Sequence, residues 1–146
     1  MVGPVIGTTN IASNGVTVTE FASNSSTLDF GTLSELTVAT TPTVTIPSSA
    51  SAVLINYSLA YFADTSNSFD MTIRVYRGTT LLKTTVVRIK SNIDQVVSNI
   101  HVDDAPSAGN VTYKVTSQVT SGGTPSTGNL QILAGQGTIV ATLLKR

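Results

Sequence analysis

Apolar and polar residues alternate along most of this chain, and the alternation has a period of two. Val53, Ile55, Tyr57, Leu59 and Tyr61 share one parity, and Asn56 and Ser58 hold the other. Met71, Ile73 and Val75 face one way, with Thr72 and Arg74 opposite. Val111, Tyr113, Val115 and Val119 alternate with Thr112, Lys114, Thr116, Gln118 and Thr120. Side chains of a strand point to opposite faces in turn, so each run predicts a half-buried strand. Two hairpin-like units between Phe69 and Gln118 organise the rest. One turns at Arg77-Gly78-Thr79 and the other at Asp104 to Gly109. Further strands are expected at Glu35–Thr40, Thr43–Ile46, Leu81–Ile89, Gln95–Val102, Leu130–Ala134 and Thr138–Leu144. Pro47 closes the Thr43–Ile46 run and puts it at an edge. Ile100 and Val102 set the inward face of their strand, which turns His101 outward. No window of about 11 residues or longer keeps apolar residues at spacings of three and four, so no helix is predicted. About nine short strands with frequent turns make an all-β antiparallel sandwich, and the mixed loop lengths favour jelly-roll wiring.

Residues 1–33 break the pattern. They carry Gly3, Pro4, Gly7, Gly15 and Gly31 and the polar run Ala22 to Thr27. Their apolar residues Val16, Val18, Phe21, Leu28 and Phe30 have no evident local partner. The expected division is therefore an extended amino-terminal arm or attachment segment over 1–33 and a sandwich domain over 34–146. Those five residues are the candidate attachment and assembly contacts.

Charge changes the picture. Only 11% of residues are charged, while 24 Thr and 17 Ser supply the polar surface. Threonine suits the wet face of a strand, since its branched Cβ favours extended backbone. Residues 1–70 hold five acids and no Lys or Arg; residues 71–146 hold eight bases and three acids, giving −5 and +5. An acidic first half can lie against a basic body, its own or a neighbour's. Eight scattered bases do not make the dense patch that nucleic acid requires. No run approaches the roughly 20 apolar residues of a membrane span. The residues after Met1 lack a basic start and a continuous apolar core, so no secretory signal is read, and folding in the cytoplasm is expected.

No catalytic, cofactor-binding or metal-binding residue is predicted. His101 beside Asp103 and Asp104 is one histidine in a chain without cysteine, too few for a zinc site. Asp103-Asp104-Ala105-Pro106 reads as turn initiation rather than a calcium loop. No Gly-x-Ser-x-Gly elbow is present, and the glycine clusters lack the lysine and helix of a phosphate cradle. Tyr57 and Tyr61 share the apolar parity, so they read as core rather than as a sugar platform.

The segment Val102 to Val115 resembles a recurrent stretch of trimeric jelly-roll head domains, the kind likened to tumour necrosis factor and C1q. Similar domains occur in phage head decorations and fibres. Asp104, Pro106, Ala108, Gly109, Thr112 and Tyr113 carry the likeness, and Ile73 to Leu82 resembles the family's upstream hairpin. The resemblance implies a non-enzymatic virion protein, most simply a trimeric head-decoration or fibre subunit. It would be assembled in the host cytoplasm and held to other virion proteins, such as a major capsid protein, through its arm. The alternatives are a surface-filament or spore-surface subunit that exchanges its arm, and a module that binds a host glycan or receptor.

Overall fold

A computed structural model describes residues 18–47 and 52–144. The described residues form eleven strands: β1 (Thr19–Ser23), β2 (Leu28–Asp29), β3 (Leu36–Thr40), β4 (Val44–Ile46), β5 (Ala52–Ala63), β6 (Phe69–Arg77), β7 (Thr80–Ile89), β8 (Gln95–Asp103), β9 (Gly109–Val111), β10 (Tyr113–Ser121) and β11 (Leu130–Leu144). No helix occurs among them. The first sheet runs β1-β11-β5-β8, with β2 also on β11; the second runs β3-β10-β6-β7; β4 and β9 form a separate ribbon. Every pairing is antiparallel. From β5 onward the long strands pass between the sheets, except at the β6–β7 hairpin within the second, and this is jelly-roll wiring.

The predicted parities explain why the sheets stack. Val53, Ile55, Tyr57, Leu59 and Tyr61 of β5 are buried, as are Met71, Ile73 and Val75 of β6 and Tyr113, Val115 and Val119 of β10. These inward faces meet in one cluster that also takes Ile132, Ile139, Ala141 and Leu143 of β11. Polar groups within it are mostly satisfied. The Tyr61 hydroxyl lies 2.7 Å from Ser117 Oγ, while the buried Tyr57 hydroxyl has no partner among the described residues. Burial raises the Tyr61 phenol well above its ordinary pKa, against the lowering effect of its Ser117 hydrogen bond, so it stays protonated. Gly122 turns the corner after β10 at φ +98°, and a Cβ there would overlap the Ser68 carbonyl.

Several expectations need correction. The second unit, the one turning at Asp104 to Gly109, is not a hairpin: β8 pairs with β5 in the first sheet, and β10 pairs with β3 and β6 in the second. The connection crosses the sandwich because Asp103 and Tyr113 are bonded across it, 2.9 Å from hydroxyl to carboxylate. Leu130–Ala134 and Thr138–Leu144 are one strand, β11, whose register skips between Ile132 and Gly137. The extra residues form a bulge clamped by Asn24, which donates to the Leu133 carbonyl at 2.8 Å and accepts from Gly137 N at 2.7 Å. β8 also sits the other way round: Ile100 and Val102 are exposed, and His101 is half-buried on the inward parity beside Ile55.

The segment 18–33 is integral to the sandwich. β1 pairs with β11 from Thr19↔Thr142 to Ser23↔Thr138. Phe30 is fully buried, and its ring lies 6.0 Å from that of Tyr61. Residues 1–17, and Val16 with them, lie outside the described residues, as does the turn expected at 48–51.

Candidate assembly face

The two sheets turn very different faces outward. On the second sheet the outer face is charged. Arg74 Nη1 meets Glu35 Oε2 at 3.1 Å, and Arg88 Nη1 meets Asp70 Oδ1 at 3.0 Å. Lys114 lies 4.8 Å from the Tyr76 ring centre, and Tyr76 donates its hydroxyl to Glu35 at 3.0 Å. Two acids of the first half, Glu35 and Asp70, thus pair with two bases of the second on one body.

Glu35 is the hub of that face. Partial burial raises its carboxyl pKa. The Thr116 and Tyr76 hydroxyls and the Arg74 and Lys114 charges outweigh this, and the result lies below the ordinary 4.5. A carboxylate whose folded pKa is depressed stabilises the fold above its unfolded pKa, and loses that contribution as pH falls through the folded value. Wild type should therefore exceed Glu35→Gln in stability at neutral pH, with the gap closing below pH 4.5. Urea melts of both proteins across that range check it; a gap unchanged on acidification would refute it.

The outer face of the first sheet is built otherwise. The registers of β1, β11, β5 and β8 align its outward residues in rows. One row is Phe21, Val140, Asn56 and Ile100; the next is Thr19, Thr142, Leu54 and Val102; a third is Ser23, Thr138, Ser58 and Ser98. Ala60 and Val96 add a fourth. None of these residues is charged. At the rim Asp29 shares the outward parity of Gln131 and Phe62, and its carboxylate accepts from Gly31 N, Gly128 N and Gln131 Nε2. Phe21 is 57% exposed, Ile100 58% and Val96 69%. Large side chains this open, gathered in one place with no charge among them, mark an interaction surface. The hydroxyls between them pair sideways, as Ser98 Oγ donates to Ser58 Oγ at 2.9 Å. A shallow depression lined by Asn56, Ser98, Asn99 and Ile100 lies near the β8 edge of this face.

The five candidate residues fall in different places. Phe21 stands on the uncharged face. Val18 lies at its corner, 37% exposed, with its carbonyl accepting from Leu143 N at 2.8 Å. Leu28 packs half-buried against the core, and Phe30 is inside it, so the contacts of both are made within this chain. Ile100, Val102, Val96 and Val140 were not singled out from the sequence. The available signal was that β5 and β8 are apolar on both parities in places, as at Val53-Leu54 and Val96-Val97. A strand inside a two-layer sandwich needs only one apolar face, so the second must be covered by something else.

Among the described residues no group of three or more His, Cys, Asp or Glu side chains is placed to hold a metal ion. No helix of the described chain is long and apolar enough to cross a membrane.

No protein-family model and no curated protein sequence matches this chain. Solved structures do. The particle of infectious bursal disease virus strain Gx aligns over 88% of this chain and 32% of its own, at 13% identity and a TM-score of 0.59. The VP2 subviral particle of the same virus aligns over 90% and 34%, at 14% identity and 0.52. Murine APRIL aligns over 88% of this chain and 100% of its own, at 10% identity and 0.50. The chain spans about a third of the length of the virus chains it is similar to. At such identities the likeness is one of fold, and the fold is an all-β antiparallel jelly roll.

Proposed function

We propose that this chain is a non-enzymatic structural protein of a virion, a homotrimeric head-decoration or fibre subunit held to other virion proteins through its amino-terminal segment. The observation that carries the reading is the uncharged apolar outer face of the first sheet, set against the ion-paired outer face of the second. A face of this kind stays in water at a cost, and burial against further copies removes it at roughly 25 cal/mol per Å². A jelly roll shared with virus-particle proteins supports a place in a particle. The described chain enters the sandwich at Val18, whose carbonyl accepts from Leu143 N at one end of that face.

Light scattering tests this on the full chain and on a version lacking residues 1–17. That cut spares β1, Asn24 and Phe30, which the sandwich needs. Trimers from both versions are expected, with only the full chain binding particles. A full chain that stays monomeric at micromolar concentration would sink the trimer. Full-length polymers beside truncated monomers would favour strand exchange between subunits instead.

A further inference from the structure

The uncharged face is not uniform. Its more exposed aromatic side chain, Phe21, stands on β1 at one edge of the sheet. Its depression, lined by Asn56, Ser98, Asn99 and Ile100, lies between β5 and β8 at the other edge. Phe21 shares a row with Val140, Asn56 and Ile100, so projection and depression sit at the same height on the sheet. At about 4.8 Å between strands, they are separated by roughly 10–14 Å.

From this we infer that Phe21 of one copy seats in the Asn56–Ser98–Asn99–Ile100 depression of the next, in a head-to-tail contact that closes as a ring. The inference rests on the trimer reading and adds its contact and its symmetry. A projection and a depression at opposite edges of one face cannot satisfy each other within a chain. A two-fold pairing through the middle of the face would be isologous, whereas an edge-to-edge use of the two features is heterologous and must close or run on. The occupant is a second copy because the face offers no charge for a charged partner to read. The rows are about four strands wide and nine residues long, on the order of 600 Å² in projection, which a ring divides between two neighbours. Each contact is therefore smaller than the roughly 800 Å² per partner of a standard interface, and the ring is held by both. The depression is also chemically suited: Ile100 supplies apolar contact, and the Asn56 and Ser98 groups can meet the edge of an aromatic ring.

The chain has no cysteine, so introduced thiols report cleanly. A full-length Ser23→Cys, Ser98→Cys protein keeps Phe21 and places the first thiol two residues along the same outward face of β1. Treated with a short bismaleimide at trimer-forming concentration, it should give covalent dimers and trimers and stop there. A Ser23→Cys, Ser66→Cys control, with the second thiol on the loop after β5, should not. Phe21→Ala should fold as wild type, since the residue is outside the core, and should weaken each contact roughly 30-fold or more. Trimers of the double variant with no cross-link between positions 23 and 98 would overturn the contact and leave the trimer standing. A ladder running past three would overturn ring closure. A wild-type monomer at every concentration would remove the trimer reading, and this inference with it.

Discussion

Replacing Ile100 with Asp should convert the assembled protein to monomers while leaving each monomer folded. Ile100 projects from the solvent side of β8, opposite the half-buried His101, so the aspartate side chain lies in water when the chain is alone. In the proposed assembly it sits in the contact, where the rows of the face offer no cation to pair with it. Burying an unpaired carboxylate costs several kcal/mol even after relaxation. At about 3 kcal/mol for each of three contacts, the association constant falls by roughly a millionfold. Ile100→Leu, which keeps the apolar volume, should leave the trimer intact. Sedimentation of the three proteins, with far-UV circular dichroism for fold, reads the result. Ile100→Asp trimers of wild-type affinity would mean that the copies meet through some other surface. The monomeric variant should melt where wild type melts when diluted below its dissociation range, because assembly stabilises only through mass action.

The contrast between the two faces also explains what could be read from the sequence. The inward parities of β5, β6 and β10 are apolar through the core apart from Ser117, which bonds Tyr61, and the strands and their stacking follow from them. The outer face of β6 and β10 is Thr, Arg, Lys and Gln, so their orientation was legible. The alternation inverts β8 because both its parities carry branched apolar residues, and a period of two then cannot tell core from outer face. Its outward set is the less obvious one, Val96, Ile100 and Val102 with Ser98 between. Which set faces in depends on the register with β5, a long-range pairing that no local pattern encodes. Phe30 was hidden for a related reason. It lies among Asn, Ser and Gly in a stretch that reads as loop, and reaches the core because Asn24 and Asp29 tie that stretch to β11 and to Gly128. The turn residues that carry the resemblance, by contrast, have a structural role that can be stated. The Asp103–Gly109 stretch must leave one sheet and deliver Tyr113 to the other, and the bond between Asp103 and Tyr113 fixes both ends of the crossing.

That crossing is where a single substitution should cost the most stability. Asp103 is 6% exposed. Both its carboxylate oxygens accept from Arg77 Nη1 at 3.0 Å, and Oδ2 also accepts from the Tyr113 hydroxyl at 2.9 Å. Arg77 Nη1 in turn reaches the Ala105 carbonyl at 3.1 Å, so the cluster joins β6, β8, β10 and the crossing loop. Burial raises the Tyr113 phenol, and the Asp103 hydrogen bond and charge raise it further, so it remains a donor at any ordinary pH. Asp103→Ala leaves the Arg77 guanidinium without its counter-charge and the Tyr113 hydroxyl without its acceptor. Breaking one partner out of a buried pair costs about 3–5 kcal/mol, a large share of the roughly 5–15 kcal/mol by which a domain is stable. Tyr113→Phe removes one hydrogen bond to a charged group and should cost about 1.5–3 kcal/mol. Combining Asp103→Ala with Arg77→Met should recover part of the loss, because the stranded charge goes with its partner. Urea unfolding of the four proteins, each as monomer in the Ile100→Asp background, separates this from assembly. A loss under about 1 kcal/mol for Asp103→Ala would show that solvent screens the pair despite its burial. The crossing would then be held by backbone contacts, the pairing of β4 with β9 and the bond from Gly78 N to the Thr112 carbonyl.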